Sequence, residues 1–518
     1  MSENNKKHAN ISKLRILLIN PPYYRLFKNT YSYNKYPLSL AYLAGEITQE
    51  TNWSTTIYNA DFALPSENAR IRYLTGEGFT RFRATLQDVT NPIWTQVRDI
   101  LVEVKPKIVG IYCCAPNSSS VAIIANIVKT FDRQIIVILG GPHPTSIGKD
   151  AMGDSHIDII VKGEGEQTIV ELLKKIEDNQ PLETVKGIIY RTGDEIVETT
   201  KREPIKDLDS LCFPIKHAKE VLKDYEKYPL SAFNMILTTR GCPYNCLFCG
   251  SRSVFGRKTR FRSPENVTDE IKILQKMGIK WFEFQDDSFG INQTYLSELC
   301  NSFIENCPGI RWHCDTRVDL INEETVKLMK QAGCRKMNIG VESGNNDMLC
   351  EIRKGITVKD ALSAADIITK NGITLTSNFM FGFPTETEET LNDTYTCIQQ
   401  IKGSIGYSIF TPYPGTEAFE YCRNAGLIHS NYDASLYNHQ SPENCFCLHI
   451  NKQRFREIAT EIERYIDERK SEHEFRQVLS YGTIDRFLSS GAFLNINSLR
   501  YFISNAVTEI KVMLRKGN

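Results

Sequence analysis

The chain of 518 residues has no apolar run close to the roughly 20 residues that a membrane-spanning helix requires. It has no surplus of charge either. Its 62 Lys and Arg match 62 Asp and Glu, which argues against a general nucleic-acid-binding role, because such proteins carry a basic excess. The polar start from Met1 to Lys13 lacks an apolar h-region, so residues 1–13 are expected to be a short disordered tail and not a secretory signal. No disulfide framework is legible in the 15 cysteines, an odd number scattered over a long chain. Reduced thiols and a cytoplasmic location are the expectation. Most of the thiols, among them Cys300, Cys314, Cys334, Cys350 and the Cys113-Cys114 pair, read as packing.

What is present is one stretch with ligand spacing. Cys242, Cys246 and Cys249 form a C-x3-C-x2-C run after the apolar segment from Phe233 to Leu237. Three thiolates from one loop can hold three irons of a [4Fe-4S] cluster and leave the fourth without a protein ligand. A structural zinc site would take four ligands from two short pairs, and no fourth partner stands nearby.

The surrounding chain alternates between strand and helix patterns. Apolar runs at 14–19, 54–59, 107–113, 134–139 and 157–161 read as strands, with helices at 36–45, 120–131 and 167–176 between them. That order predicts an α/β fold, a doubly wound, Rossmann-like parallel sheet over residues 14–180. Residues 64–95 break the alternation and read as a partly helical insertion. A hairpin around Gly193-Asp194 and an irregular stretch rich in Pro make 181–230 a linker. Over 231–416 six strands alternate with helices, which predicts a partial (β/α)6 TIM-like barrel. Polar residues follow its strands, where barrels place their chemistry. Residues 417–518 carry no motif, and apolar spacings at 455–466 and 499–514 predict a mainly helical C-terminal region that shapes substrate choice. Cys445 and Cys447 form a C-x-C pair in a loop of this region.

Two sets of motifs carry a resemblance. Asn20-Pro21-Pro22, Pro37 to Ala44, Gly140-Gly141-Pro142-His143-Pro144-Thr145 and Gly163-Glu164-Gly165-Glu166 make the first third resemble the cobalamin-binding domain fused to radical S-adenosylmethionine enzymes. The cysteine spacing, Phe248, Asp286 to Phe289, Gly340 to Gly344 and Pro412 to Thr416 make residues 234–416 resemble the catalytic core of that same family. One departure is that the D-x-H-x-x-G cobalt-ligand motif is missing after the first strand, where Asn20 to Arg25 stand, so no His from that motif lies beneath cobalt.

The resemblance implies a [4Fe-4S] cluster on Cys242, Cys246 and Cys249, with S-adenosylmethionine on its open iron. It implies that Phe248, Asp286, Arg317, Glu342 and Ser343 contact S-adenosylmethionine. It assigns Gly140, Gly141, His143, Thr145, Gly163 and Glu164 to cobalamin. The expected reaction is methyl transfer to an unactivated carbon, or to phosphorus, of a small biosynthetic substrate, fed by a reductant such as flavodoxin or ferredoxin. Cyclisation or rearrangement, and a first domain that binds substrate in place of cobalamin, are the alternatives within the family. The first third lacks the three cysteines of a second cluster, which argues against a methylthiotransferase. Outside catalysis, the alternative is an iron-sulfur electron carrier or sensor.

Overall fold

The computed structural model describes residues 14–69, 74–430 and 432–478. The tail at 1–13 and the amphipathic spacing at 499–514 lie outside these residues. The first sheet is built from β1 (Arg15–Asn20), β2 (Ser54–Asn59), β3 (Ile108–Tyr112), β4 (Ile136–Gly140), β5 (Ile159–Val161), β6 (Ile188–Thr192) and β7 (Glu195–Glu198). Their spatial order is β2-β1-β3-β4-β5-β6-β7. The first five run parallel, and β6 and β7 are antiparallel additions. The hairpin read as linker therefore extends the first sheet. The order reverses between β1 and β3, so a switch point opens at their carboxyl ends.

Alternation along β1 explains how this sheet is buried on both faces. Leu17 and Ile19 join a core beneath helices Gly76–Gln87 and Pro92–Val104. Ile16 and Leu18 face the other way and join a core that continues into the second sheet. A shift of register by one residue would exchange these two environments. The helix at 92–104 was absent from the sequence reading, in which 64–95 was a partly helical insertion. Asn91 caps it and Pro92 begins it, a start signal that the reading passed over.

The second sheet follows β8 (Met235–Ile236), a short pair β9 (Thr239–Arg240) and β10 (Arg260–Phe261), then β11 (Trp281–Phe284), β12 (Arg311–Arg317), β13 (Cys334–Glu342), β14 (Thr374–Phe381) and β15 (Ser404–Ile409). Its order is β15-β14-β13-β12-β11-β8, parallel throughout, an open six-stranded partial barrel with helices outside. Helix Pro264–Lys276 shows why the outer layer forms where it does. Ser263 accepts from the Asn266 N–H at 3.1 Å, Pro264 follows at the first helical position, and Ile271 and Leu274 are buried beneath. After β15 come helix Glu417–Asn424, an irregular segment, and helix Lys452–Val478, which buries Phe455, Ile458, Ile462 and Ile466.

The two sheets meet through a buried ion-pair network. Arg240 on β9 reaches Glu164 at 2.9 Å and Glu166 at 2.7 Å, and Arg260 on β10 reaches the second oxygen of Glu164 at 2.7 Å. All four side chains are at most 8% exposed, so the charges must neutralise one another. Lys35 adds a second tie, 2.9 Å from Glu283 on β11.

Candidate active site

The cysteine loop leaves β9 through Gly241, whose φ is +93°. A Cβ there would lie 2.7 Å from the Lys258 carbonyl oxygen, so only glycine fits. The loop is then held from several sides. Leu247 N–H donates to Ile352 O at 3.1 Å, Cys249 N–H donates to Cys246 O at 3.2 Å, and Leu247 O accepts from Ala418 N–H. Asn245 accepts from Arg252 at 2.7 Å, and Glu417 bridges Arg252 and Arg353. Cys242, Cys246 and Cys249 are all partly exposed, unlike most of the remaining cysteines.

The electrostatics of the loop are mixed. Arg317 at the end of β12 donates to the Cys246 sulfur at 3.5 Å, lies 3.5 Å over the Tyr244 ring, and pairs with Asp319 at 2.8 Å. Burial pushes the Cys242 and Cys249 thiols up, and the neighbouring cysteines raise both further, while Lys354 lowers Cys249. Thiols that burial keeps protonated, as at Cys242 and Cys249, are stabilised as thiolates by metal. Among the described residues, no three His, Cys, Asp or Glu side chains converge as a single metal ion would require. A cubane cluster asks for something else, because each thiolate meets a different iron.

The other expected contacts divide into two groups. Phe248 packs against Phe383 with ring centroids 5.8 Å apart, beside the loop. Glu342 stands at positive φ, +73°, with Lys354 Nζ at 2.7 Å. Asp286 is turned inward. Its carboxylate accepts from Thr238 N–H at 2.7 Å, from Thr239 N–H at 3.1 Å and from the Thr238 hydroxyl. It ties the carboxyl end of β11 to the strand that feeds the cysteines, and burial raises it to about 6. Its neighbour Asp287 lines the cavity described below. Ser343 is fully buried, with Thr394 Oγ1 at 3.2 Å and the Asn345 N–H donating to it. Neither Asp286 nor Ser343 lines the cavity described below. Motif order marks a strand end, but successive residues there point in opposite directions.

A cavity of about 720 Å³ lies between the two sheets. One wall runs across the first sheet at Leu18, Gly110, Ile138 and Val161, on β1, β3, β4 and β5, and so includes the switch point between β1 and β3. Gly140, Gly141, His143, Gly163 and Glu164 line its rim. The opposite wall holds Gly250 and Ser251, directly after Cys249, with Asp287 and Tyr413. A Cβ at Gly140 would meet nothing within 4 Å, so the space in front of it is open. Thr145 does not line the cavity. Its hydroxyl donates to Gly141 O at 2.7 Å and accepts from Gly163 N–H at 3.0 Å, which ties the two glycine loops together. Glu164 reaches the rim with its carboxylate engaged by Arg240, Arg260 and Ile205 N–H.

A second cavity of about 770 Å³ adjoins the first and shares Tyr112, Cys114, Met235 and His439 with it. Its lining is polar and aromatic, with Tyr23, Tyr24, Asn59, Asn378, Tyr407 and Asn438. His439 and Asn438 come from the irregular segment after the barrel, where no motif marks them, and sequence reasoning missed them. The burial of His439 lowers its imidazole below the ordinary range.

A doubly wound sheet whose switch point faces the mouth of a partial barrel, with three thiols on the barrel's first loop, defines a two-cofactor enzyme architecture. Residues 236–398 match the Radical SAM superfamily and residues 26–173 match the B12 binding domain. The chain is 30% identical over 420 residues to "Uncharacterized methyltransferase PH0819" of Pyrococcus horikoshii, covering 80% of this chain and 84% of that protein. It is 29% identical over 360 residues to the anaerobic magnesium-protoporphyrin IX monomethyl ester cyclase of Rubrivivax gelatinosus, covering 67% of this chain and 63% of that one. Among solved structures it resembles the radical S-adenosylmethionine methyltransferase TsrM from Kitasatospora setae, with a TM-score of 0.60 at 18% identity, over 80% of this chain and 75% of that chain. The chain belongs to the family of radical S-adenosylmethionine enzymes that carry a B12 binding domain. Its cofactors are a [4Fe-4S] cluster, S-adenosylmethionine and cobalamin. Among the described residues no helix is long and apolar enough to cross a membrane.

The residues present fit these groups. The cavity is open where Gly140 would carry a side chain, and buried polar atoms without protein partners line both cavities. These include His143 Nδ1 in the first, and Asn438 Nδ2 and Tyr36 Oη in the second. A cofactor edged with amides would satisfy such atoms.

Proposed function

We propose that this enzyme transfers a methyl group to a carbon, or to phosphorus, of a small biosynthetic substrate held in the second cavity. The observation that carries this reading is the junction of the two cavities at His439 and Met235, where the carboxyl ends of β1, β2 and β3 meet residues of β8, β14 and β15. In this reading Cys242, Cys246 and Cys249 hold the cluster, and Arg317 steadies Cys246. Phe248, Glu342 and Asp287 border S-adenosylmethionine. Gly140, Gly141, His143 and Gly163 border cobalamin, and Thr145 braces their loops. Glu164 acts by locking the domains together. The apolar groove from Leu18 to Val161 would hold an apolar part of cobalamin, because Gly110 keeps its floor low. When bound, the cofactors supply a low-potential electron, a carbon-centred radical and a methyl carrier. The chain's own part is to orient these groups and to place an imidazole, held below its ordinary range by burial, beside the substrate. A cytoplasmic reductant such as flavodoxin or ferredoxin would feed the cluster.

Product stoichiometry tests this reading. Anaerobically reconstituted enzyme with its substrate should release S-adenosylhomocysteine and 5′-deoxyadenosine in equal amounts, the first from methyl donation and the second from radical formation. The cyclase relative supports a second reading, ring formation at the same site. That reading predicts 5′-deoxyadenosine without S-adenosylhomocysteine.

A further inference from the structure

Behind the active site lies a thiol pair that the proposed reaction does not use. Cys445 and Cys447 sit in the irregular segment between helices Glu417–Asn424 and Lys452–Val478, with their side chains in mutual hydrogen-bond contact. Phe446, between them, packs edge-on against Phe410, centroids 6.1 Å apart. Cys447 is 9% exposed, whereas Cys445 is partly open. We infer that Cys445 and Cys447 are a redox-active dithiol that closes to an intramolecular disulfide by exchange with a low-molecular-weight disulfide.

The surroundings divide the labour between the two sulfurs. Cys445 has Cys447, Arg456 and Lys452 around it, and contact with Cys447 is the largest influence holding its thiol below the ordinary range. Arg456 is anchored on Ser441 O at 3.0 Å and Lys452 on Glu443 at 3.1 Å, so both cations stay nearby. Cys447 faces Cys445, Glu386 and Cys422, and stays a thiol. Cys445, partly open and beside two cations, is therefore the attacking thiolate, and the nearly buried Cys447 the resolving thiol. The Cys445 thiolate attacks RSSR and expels RS⁻. Cys447 then attacks the Cys445 sulfur of the mixed disulfide, and its proton leaves with the second RSH. Two protein thiols are oxidised and one small disulfide is reduced to two thiols.

The pair is connected to the cofactor loop. Leu448 N–H donates to Pro384 O at 2.7 Å. Glu386, beside Cys447, accepts from the N–H groups of Gly382 and Phe383. The Phe383 ring packs on Phe248, next to the cluster ligand Cys249. Closing the disulfide draws the two sulfurs to about 2.05 Å and moves the segment that carries these contacts. The second readout below rests on the radical reading of the site; the first does not.

The test uses anaerobic holoenzyme titrated with oxidised glutathione. Peptide mapping should show loss of two hydrogens on the fragment containing Cys445 and Cys447, reversed by dithiothreitol and absent in Cys445→Ser. Alkylation of Cys445 should show its inflection below the value of about 8.5 for an ordinary thiol. Formation of 5′-deoxyadenosine should fall severalfold on oxidation of the wild type and stay unchanged in Cys445→Ser. Stable glutathione adducts without ring closure, or an inflection near that of an ordinary thiol, would overturn the dithiol. A disulfide that forms without altering 5′-deoxyadenosine overturns its link to the cofactor loop. If no variant makes 5′-deoxyadenosine at all, the radical reading fails, while the mass readout still decides the dithiol.

Discussion

Glu164→Gln isolates the charge balance at the junction of the two sheets. The network holds two cations, Arg240 and Arg260, and two anions, Glu164 and Glu166, all nearly sealed from water. Glutamine keeps the shape of Glu164 and one acceptor oxygen, but leaves the network with one unbalanced positive charge. Breaking a buried pair in this way costs about 3–5 kcal/mol, and the retained acceptor places this case near 3. For a domain of this size that is a fall of roughly 6–12 °C in the midpoint of the transition that separates the sheets. The double variant Glu164→Gln/Arg260→Met restores neutrality, since Arg240 keeps Glu166 at 2.7 Å. It should recover about half of the loss, because neighbours in one network are not additive. Differential scanning calorimetry, with hydrogen exchange at β9 and β10 to identify the transition, measures both. A midpoint for Glu164→Gln within 1–2 °C of wild type, or a double variant as unstable as the sum of its singles, would refute the reasoning.

Cys246→Ala should leave reconstituted protein without the iron-sulfur absorbance near 400 nm, on the order of that wavelength for thiolate-bound clusters, and without 5′-deoxyadenosine; unchanged product would sink the ligand assignment. Glu386 is buried and raised to about 8, its carboxyl accepting from the backbone at Gly382 and Phe383. A folded pKa above the unfolded value of about 4.3 means that stability from this group is full at acid pH and is lost as pH rises toward 8. Glu386→Gln should therefore flatten the stability profile between pH 5 and 8 in denaturant titrations, and an identical slope in both proteins would contradict the protonated state. His439→Ala should raise KM for substrate by about tenfold, the effect of losing about 1.4 kcal/mol of hydrogen bonding, while the bound corrinoid stays unchanged in the visible spectrum; loss of corrinoid would place His439 in the other cavity's chemistry.

Much of the architecture was legible because periodicity is local. Five buried runs alternating with helices imply a parallel sheet, and the order β2-β1-β3-β4-β5 is one of few ways to wind them. The six barrel strands and the cysteine loop were read in the same way. The hairpin β6-β7 was visible, but its attachment to β5 was not, because antiparallel edge pairing leaves no mark outside the pair. Asp286 and Asp287 show the same limit within a site. Both stand at a strand end, and only packing decides that the first grips Thr238 and Thr239 while the second lines the cavity.

The sequence by itself determined the two-sheet architecture and the cysteine loop. Each rests on spacing along a single segment, through strand alternation, helix caps, and three cysteines too close together to serve separate sites. Tertiary structure alone decided what meets across the junction. It joined Glu164 to Arg240 over 76 residues and brought His439 from an unmarked loop to the boundary of two cavities. Such neighbours are selected by the fit of whole elements and by the need to neutralise buried charge, and neither leaves a local pattern in the chain.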